Sequence, residues 1–334
     1  MTTLHQRLPG AMTVLLGLLI VTSGSHAAST NLAEATAIRA FSEEIAARHD
    51  LEADAIERLI GDEAEHRPEI IEAISRPAEA LPWHRYREIF LTEPRIAAGI
   101  EFRQRHRQWL DAVKARYGVP VPVIVAIMGI ETFYGRYIGT YRVIDALRTL
   151  GFGYPPRSGF FRDELEAFLV LAREEGIEPT TALGSYAGAM GIPQFISSSY
   201  RAYAVDFNDN GRRDLFSEPA DAIGSIGHYL ARHGWQADAP VAVRAELDGD
   251  EWRSRLRPAL KPVDTVAALA SAGISPERPL SAGMEARLLE LQGDSGAEHW
   301  ITLGNFYAIT RYNHSALYAM AVHQLADAIR KADS

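Results

Sequence analysis

Apolar residues return at helical spacing from about Asn31 to Arg116. Leu32, Ala35, Ile38, Phe41 and Ile45 form one stripe, and Leu51, Ile56, Leu59 and Ile60 form a shorter one that Gly61 is expected to stop. Pro68, Pro77, Pro82 and Pro94 punctuate the next stretch, and residues 102–117 read as a single helix with Trp109, Leu110 and Val113 on its apolar side. From Val119 to about Gln236 the helical texture persists, but glycine and aromatic residues become denser. The period then changes. Residues 241–247 alternate like a strand, and residues 286–292, 300–303 and 306–310 are further strand candidates. Residues 315–331 return to an amphipathic helix with Leu317, Met320, Ala321 and Leu325 in phase. The pattern predicts a mainly α protein of α+β class: a helical region at 28–116, a core at 117–236, a small β-rich region at 237–310, and a C-terminal helix at 311–334 that rejoins the helical body.

The start of the chain reads as an address. Residues 1–10 carry Arg7 and no acid, residues 11–21 are apolar apart from Thr13 and Gly17, and Ser25-His26-Ala27 offers small residues three apart. This predicts a secretory signal over 1–27, cut after Ala27, with a short retained anchor as the alternative. The apolar run is too short to span a bilayer comfortably. The composition narrows the classes further. With 47% hydrophobic residues among 334, the chain buries a large core. It has no cysteine, which excludes disulfides, thiolate metal sites and a lipid-modified cysteine anchor. With 34 basic against 43 acidic side chains, its net charge of −9 argues against broad nucleic-acid binding.

Three features carry candidate chemistry. The first is Glu131, which ends the continuous apolar run 123–130 behind Pro120 and Pro122. A carboxyl at the C-terminal end of a buried helix meets a desolvation penalty and the negative end of the helix dipole. Both push its pKa upward and suit it to act as a general acid. A buried structural glutamate held by an arginine or a backbone amide is the alternative. The second is Asp206-Phe-Asn208-Asp-Asn210-Gly-Arg212, with oxygen side chains at the first, third and fifth places, glycine at the sixth and a backbone carbonyl at the seventh. A hard cation such as Ca²⁺ suits these donors. Ser217 stands twelfth and cannot ligate bidentately, so Asp221 is its substitute; an ion-free Asn/Asp turn is the alternative. The third is residues 184–195, where glycines accompany Ser185 and Gln194 and suggest a backbone passing close to a ligand, or else a tight helix contact. No histidine pattern of a zinc hydrolase is present, nor is a G-x-S-x-G elbow.

These segments together resemble the B-type membrane-bound lytic murein transglycosylases, glycoside hydrolase family 103, over residues 83–325. The resemblance is carried by Gly129-Ile-Glu-Thr-Phe-Tyr-Gly135, Gly184-Ser-Tyr-Ala-Gly-Ala-Met-Gly191 with Gln194-Phe195, Tyr203-Ala-Val-Asp-Phe207, Asp221-Ala-Ile-Gly-Ser225 and Arg311-Tyr-Asn313. It implies a lysozyme-like catalytic core, and cleavage of the MurNAc-β-1,4-GlcNAc bond of peptidoglycan without water to leave a 1,6-anhydroMurNAc end. Glu131 would be the single general acid/base. Ser185, Gln194, Tyr86, Arg157, Phe195, Tyr229, Tyr312, Asn313 and Tyr318 would line the glycan cleft. Asp206, Asn208, Asn210, the Arg212 carbonyl and Asp221 would hold a structural Ca²⁺, with no organic cofactor. The expected partners are glycan strands of peptidoglycan and no nucleic acid. The expected form is a soluble periplasmic monomer without a stable membrane span. Some family members carry paired arginines where Tyr154-Pro-Pro-Arg157 keeps one. A hydrolytic muramidase is the rival enzyme and needs a second carboxylate, for which Asp145 and Glu164 are the nearby candidates. A glycan-binding protein without catalysis is the rival outside enzymes.

Overall fold

The structure is a computed structural model that describes residues 23–75 and 80–332, with side chains from residue 32 onward. The expected signal segment lies outside the described residues except for its last few positions, which open the first helix, Ser23–His49; Pro77 also lies outside them.

Three apolar cores organise the described residues. One joins Trp83, Tyr86, Phe102, Leu110 and Val113 to the helices Val121–Thr132, Pro219–Arg232 and Ala316–Ala332, and reaches the β region through Leu289, Leu291 and Trp300. A second packs Ile38, Ile45, Ile60 and Ile70 against the helices Val143–Gly153 and Ser158–Glu175, and includes Met190, Phe195, Tyr200 and Tyr229. The stretch 28–116 therefore feeds two cores: its early helices enter the second and its later ones the first. The third core lies under the small sheet, with Val243, Leu269, Ile274, Leu288 and Ile301.

Strands β1 (Tyr141–Arg142) and β2 (Leu183–Gly184) form a two-residue antiparallel ribbon. Strands β3 (Ala242–Leu247), β4 (Asp264–Thr265), β5 (Ile274–Pro276), β6 (Glu285–Gly293) and β7 (Gly296–Leu303) form one antiparallel sheet in the order β4-β6-β7-β3-β5. The β6–β7 hairpin is its spine, paired from Ala286↔Leu303 to Gly293↔Gly296.

Three elements differ from the sequence pattern. Gly61 does not end its helix; a π-turn, Leu59–Glu63, continues through it, and the chain becomes extended at Ala64. The Ile60 carbonyl accepts from Arg148 Nε at 3.2 Å, a long-range contact with no local signal. Residues 102–117 belong to two helices, Glu93–Arg105 and Arg107–Tyr117, broken where His106 leaves helical geometry at φ −111°, ψ 23° and packs its ring 4.4 Å from that of Phe102. Residues 306–310 are helical, within Gly304–Tyr312. A five-residue apolar run does not distinguish strand from helix. Here Phe306 and Ile309, three apart, enter the first core, and Asn305 ties the helix start to Gln236 and Ala239 by bonds of 2.7–2.8 Å.

Candidate active site

Residues 123–130 of the helix Val121–Thr132 are all buried, whereas Glu131 is half-buried, so its carboxyl stands where this helix leaves the core. The helix ends abruptly. Phe133, Tyr134 and Gly135 are left-handed, at φ 50°, 62° and 87°, and the Phe133 and Tyr134 amides donate back to the Gly129 and Met128 carbonyls at 3.2 and 3.0 Å. Two bulky residues in this region carry strain that the surroundings must hold. Thr132 Oγ1 donates to the Ile192 carbonyl at 2.9 Å and accepts from the Gly135 amide at 3.0 Å. Tyr134 OH donates to the Arg95 carbonyl at 2.8 Å, and Arg95 Nε donates to the Gly129 carbonyl at 3.0 Å. Glycine at 129 permits this wedge, because a Cβ there would stand 2.6 Å from the Tyr134 hydroxyl oxygen.

The C-terminal helix supplies the partner of Glu131. Tyr318 OH donates to Glu131 Oε1 at 2.5 Å. Burial, and after it the charge of Glu131, raises the Tyr318 and Tyr312 phenols well above their ordinary pKa, so both remain protonated donors in neutral solution. The two rings lie parallel with centroids 6.3 Å apart, and Tyr312 OH donates to the Pro193 carbonyl at 2.6 Å. Phe195 packs 5.6 Å from Tyr229 and 5.7 Å from Tyr312. Tyr229 OH donates to the Arg311 carbonyl at 2.5 Å, and burial pushes its pKa up to about 12. Tyr86 is buried beside Trp83 and Phe90, close enough for its charge to add to the rise at Tyr318.

The segment that leaves Glu131 packs against the β1–β2 ribbon and the loop after it. Gly139, at φ 105°, lies against that loop: a Cβ there would fall 2.0 Å from the Gly184 carbonyl oxygen and 2.7 Å from the Ser185 nitrogen. Ser185 Oγ accepts from the Ala187 and Ala189 amides at 3.2 and 3.1 Å, so the serine organises the glycine-rich turn. Gln194 Nε2 donates to the Ile138 carbonyl at 3.0 Å and to the Gly191 carbonyl at 2.8 Å. It thus ties the segment leaving Glu131 to the glycine-rich loop.

The structure gathers Glu131, Tyr318, Tyr312, Tyr86, Phe195 and Tyr229 through these contacts, and Ser185 and Gln194 lie against the 138–139 segment that follows Glu131. Asn313 joins the Tyr312 helix to the Tyr318 helix, its carbonyl accepting from the Ser315 amide at 2.7 Å. Arg157 ends the turn Pro155–Arg157, and its guanidinium lies 4.4 Å from the ring centroid of Phe160 and 5.2 Å from that of Phe161. Arg95, which helps hold the Glu131 turn, is not singled out by the sequence, and Thr132 and Tyr134 lie in the 129–135 motif without a role assigned there. Gly129, a lone glycine in a buried apolar helix, is the one local sign of the Tyr134 wedge.

Both rival carboxylates are engaged elsewhere. Asp145 is buried, accepting from the Glu65 amide at 2.8 Å and from Arg142 Nε at 2.7 Å. Glu164 is buried and takes the Ser198 amide at 2.9 Å and the Ser198 hydroxyl at 2.6 Å, at the start of the helix Ser197–Tyr203.

In the 206–221 loop, Asp206 accepts from the Asn210 and Gly211 amides at 3.0 and 2.7 Å, and Asn210 Oδ1 accepts from the Arg212 amide at 3.0 Å. Asp221, in the first turn of Pro219–Arg232, closes the loop from beneath, taking the Phe207 and Asp214 amides at 2.8 and 2.9 Å. Burial holds its carboxyl above the usual range against those amide bonds, and the charge of Asp206 adds to the rise. Among the described residues no three His, Cys, Asp or Glu side chains converge as a metal cluster. The expected donors in this loop are instead two acids, two asparagines and a carbonyl.

The family profile described as a transglycosylase SLT domain matches residues 33–327. The chain is 44% identical over 247 residues to the membrane-bound lytic murein transglycosylase B of Escherichia coli (strain K12), covering 74% of this chain and 67% of that one. The soluble lytic transglycosylase SltB1 of Pseudomonas aeruginosa has a similar structure, with TM-score 0.83 and 44% identity, over 88% of this chain and 98% of that one. The Escherichia coli lytic transglycosylase SLT35, solved in complex with calcium, matches with TM-score 0.81 and 38% identity, over 90% of this chain and 93% of that one.

Proposed function

The chain belongs to the transglycosylase SLT domain family, and from that premise we propose that it is a peptidoglycan lytic transglycosylase with Glu131 as its single general acid/base. Glu131 protonates the oxygen bridging MurNAc C1 to GlcNAc, and the C1–O bond breaks as the GlcNAc end leaves as an alcohol. The carboxylate then removes the proton of the C6 hydroxyl as O6 bonds to C1. The 1,6-anhydro ring closes, Glu131 is protonated again, and no water is consumed. The muramoyl N-acetyl group supports C1 in place of a second carboxylate, one of the known departures from the two-carboxylate scheme. The observation that carries this reading is the half-buried Glu131 carboxyl held by Tyr318 OH while Asp145 and Glu164 are both bonded elsewhere. Purified sacculi should be solubilised, and the released ends should resist borohydride, because an anhydro end has no free hemiacetal. Borohydride-reducible muramoyl ends would favour the muramidase.

Tyr318 positions the carboxyl of Glu131 and leaves the proton transfers to it. Tyr318→Phe should lower kcat about 10-fold to 100-fold, the size of one hydrogen bond to a charged group. KM should change little, and thermal stability should fall by no more than about 1 kcal/mol.

The 206–221 loop suits a Ca²⁺ ion. Its donors are all oxygen, carboxylates retain lone pairs beyond the amide bonds described, and the buried Asp221 gains from a neighbouring cation. Asp206, Asn208, Asn210, the Arg212 carbonyl and Asp221 would hold it and pin the loop to the helix Pro219–Arg232, whose Tyr229 lines the site. Adding EDTA should lower Tm by about 5 °C, and millimolar Ca²⁺ should restore it where Mg²⁺ does not. An unchanged Tm would refute an ion in this loop.

Residues 1–27 support export to the periplasm, with the mature protein acting there as a monomer on glycan strands. Among the described residues no single helix is long and apolar enough to cross a membrane. The small sheet and its own core, which runs from Val243 to Leu303, support a separate β domain within the expected 237–310, while the helix Gly304–Tyr312 gives Phe306 and Ile309 to the first core.

A further inference from the structure

We propose that Tyr137 is a stacking platform for a pyranose ring of the glycan strand, at the rim beside Glu131; this rests on the reading of the site as a glycan-cleaving one. Tyr137 is 72% exposed, on the segment that leaves the catalytic helix. An aromatic ring so open to water gains little from the fold. Its ring touches that of Phe133 only at an angle, with centroids 6.1 Å apart and planes at 66°.

The root of the platform, by contrast, is held firmly. The Tyr137 amide donates to the Thr132 carbonyl at 2.9 Å, one residue beyond Glu131. Phe133 lies between the Arg95 and Arg136 guanidinium groups, 5.1 and 5.2 Å from its ring centroid. The next residue, Ile138, gives its carbonyl to Gln194, and Gly139 abuts Gly184 and Ser185. Tyr137 therefore stands beside the seam where the Glu131 segment meets the glycine-rich loop. Across that seam, Leu183 and Tyr186 are exposed as well. Exposed large side chains thus flank the seam on both segments, on the side of the chain that follows Glu131. A flat ring fixed at its root matches the C–H face of a sugar, while an unstructured peptide would gain less from one planar surface.

The test compares Tyr137→Ala, Tyr137→Leu and Tyr137→Phe with the unaltered protein, each also made with Glu131→Gln so that binding is read without cleavage. The probes are peptide-free glycan strands and strands still bearing peptides. Tyr137→Ala and Tyr137→Leu should raise Kd for both probes about 3-fold to 10-fold, and KM in the cleaving background by a similar factor, with kcat within about twofold. Tyr137→Phe, which keeps the ring, should bind as the unaltered protein does. Unchanged affinity in Tyr137→Ala would overturn the platform. So would a loss confined to peptide-bearing strands, which would make the occupant a peptide. If the unaltered protein leaves peptidoglycan uncut yet Tyr137→Ala weakens glycan binding, the catalytic reading fails and the platform stands.

Discussion

Glu131→Gln should reduce release of muropeptides from sacculi by about 1,000-fold or more, within the range for loss of a general acid–base group, since the proposed mechanism assigns both proton transfers to this one carboxyl. The amide matches the carboxyl in shape, and the side chain stands at the end of its helix and only half in the core. The fold should therefore persist: the circular dichroism spectrum should be unchanged and Tm should move by only a few degrees. Glycan binding should survive, because the substitution removes the proton and leaves the shape of the site unchanged. A Glu131→Gln protein that lyses sacculi at the unaltered rate would remove this residue from the chemistry.

The largest effect on stability is expected at Gly139. Its φ of 105° is open to glycine and strained for other residues, and an alanine Cβ would lie 2.0 Å from the Gly184 carbonyl oxygen. Backbone is the obstacle, so rotamer changes give no relief. Gly139→Ala should cost about 3 kcal/mol or more, read as a fall in the urea midpoint at unchanged m-value. It should also lower activity in the fraction that folds, because the displaced partner is the turn that carries Ser185. Gly61→Ala is the control: its Cβ would meet nothing within 4 Å, and its stability should stay within about 0.5 kcal/mol.

What the chain announces locally and what it hides have different physical origins. Glu131 is legible because a lone charge ending an unbroken apolar run must be either paired or functional. The 206–212 loop stands out because oxygen side chains at alternate positions before a glycine form a local pattern, and the folded loop keeps Asp206, Asn210 and Asp221 on its own amides. Tyr318 lies 187 residues beyond Glu131, in a helix whose apolar stripe reads as ordinary core, and Tyr312 ends the helix before it. Only the family resemblance marks them as candidates for the site. Arg95 and Thr132, which brace the Glu131 turn, act through contacts with backbone carbonyls. Carbonyls have no side-chain identity, so no residue pattern foretells them. The helix Gly304–Tyr312 reads as a strand for a related reason: its burial is set by the first core and by Asn305, beyond the reach of a five-residue window.

The central claim is that one carboxyl cuts the glycan by turning the sugar's own C6 hydroxyl on its anomeric carbon. Mass spectrometry of muropeptides released in ¹⁸O-labelled water tests it most directly. The expected products are anhydromuramoyl ends one water lighter than hydrolysed ends, with no ¹⁸O incorporated at the cut. Ends that are one water heavier and carry ¹⁸O would show that water attacks, and would contradict the claim.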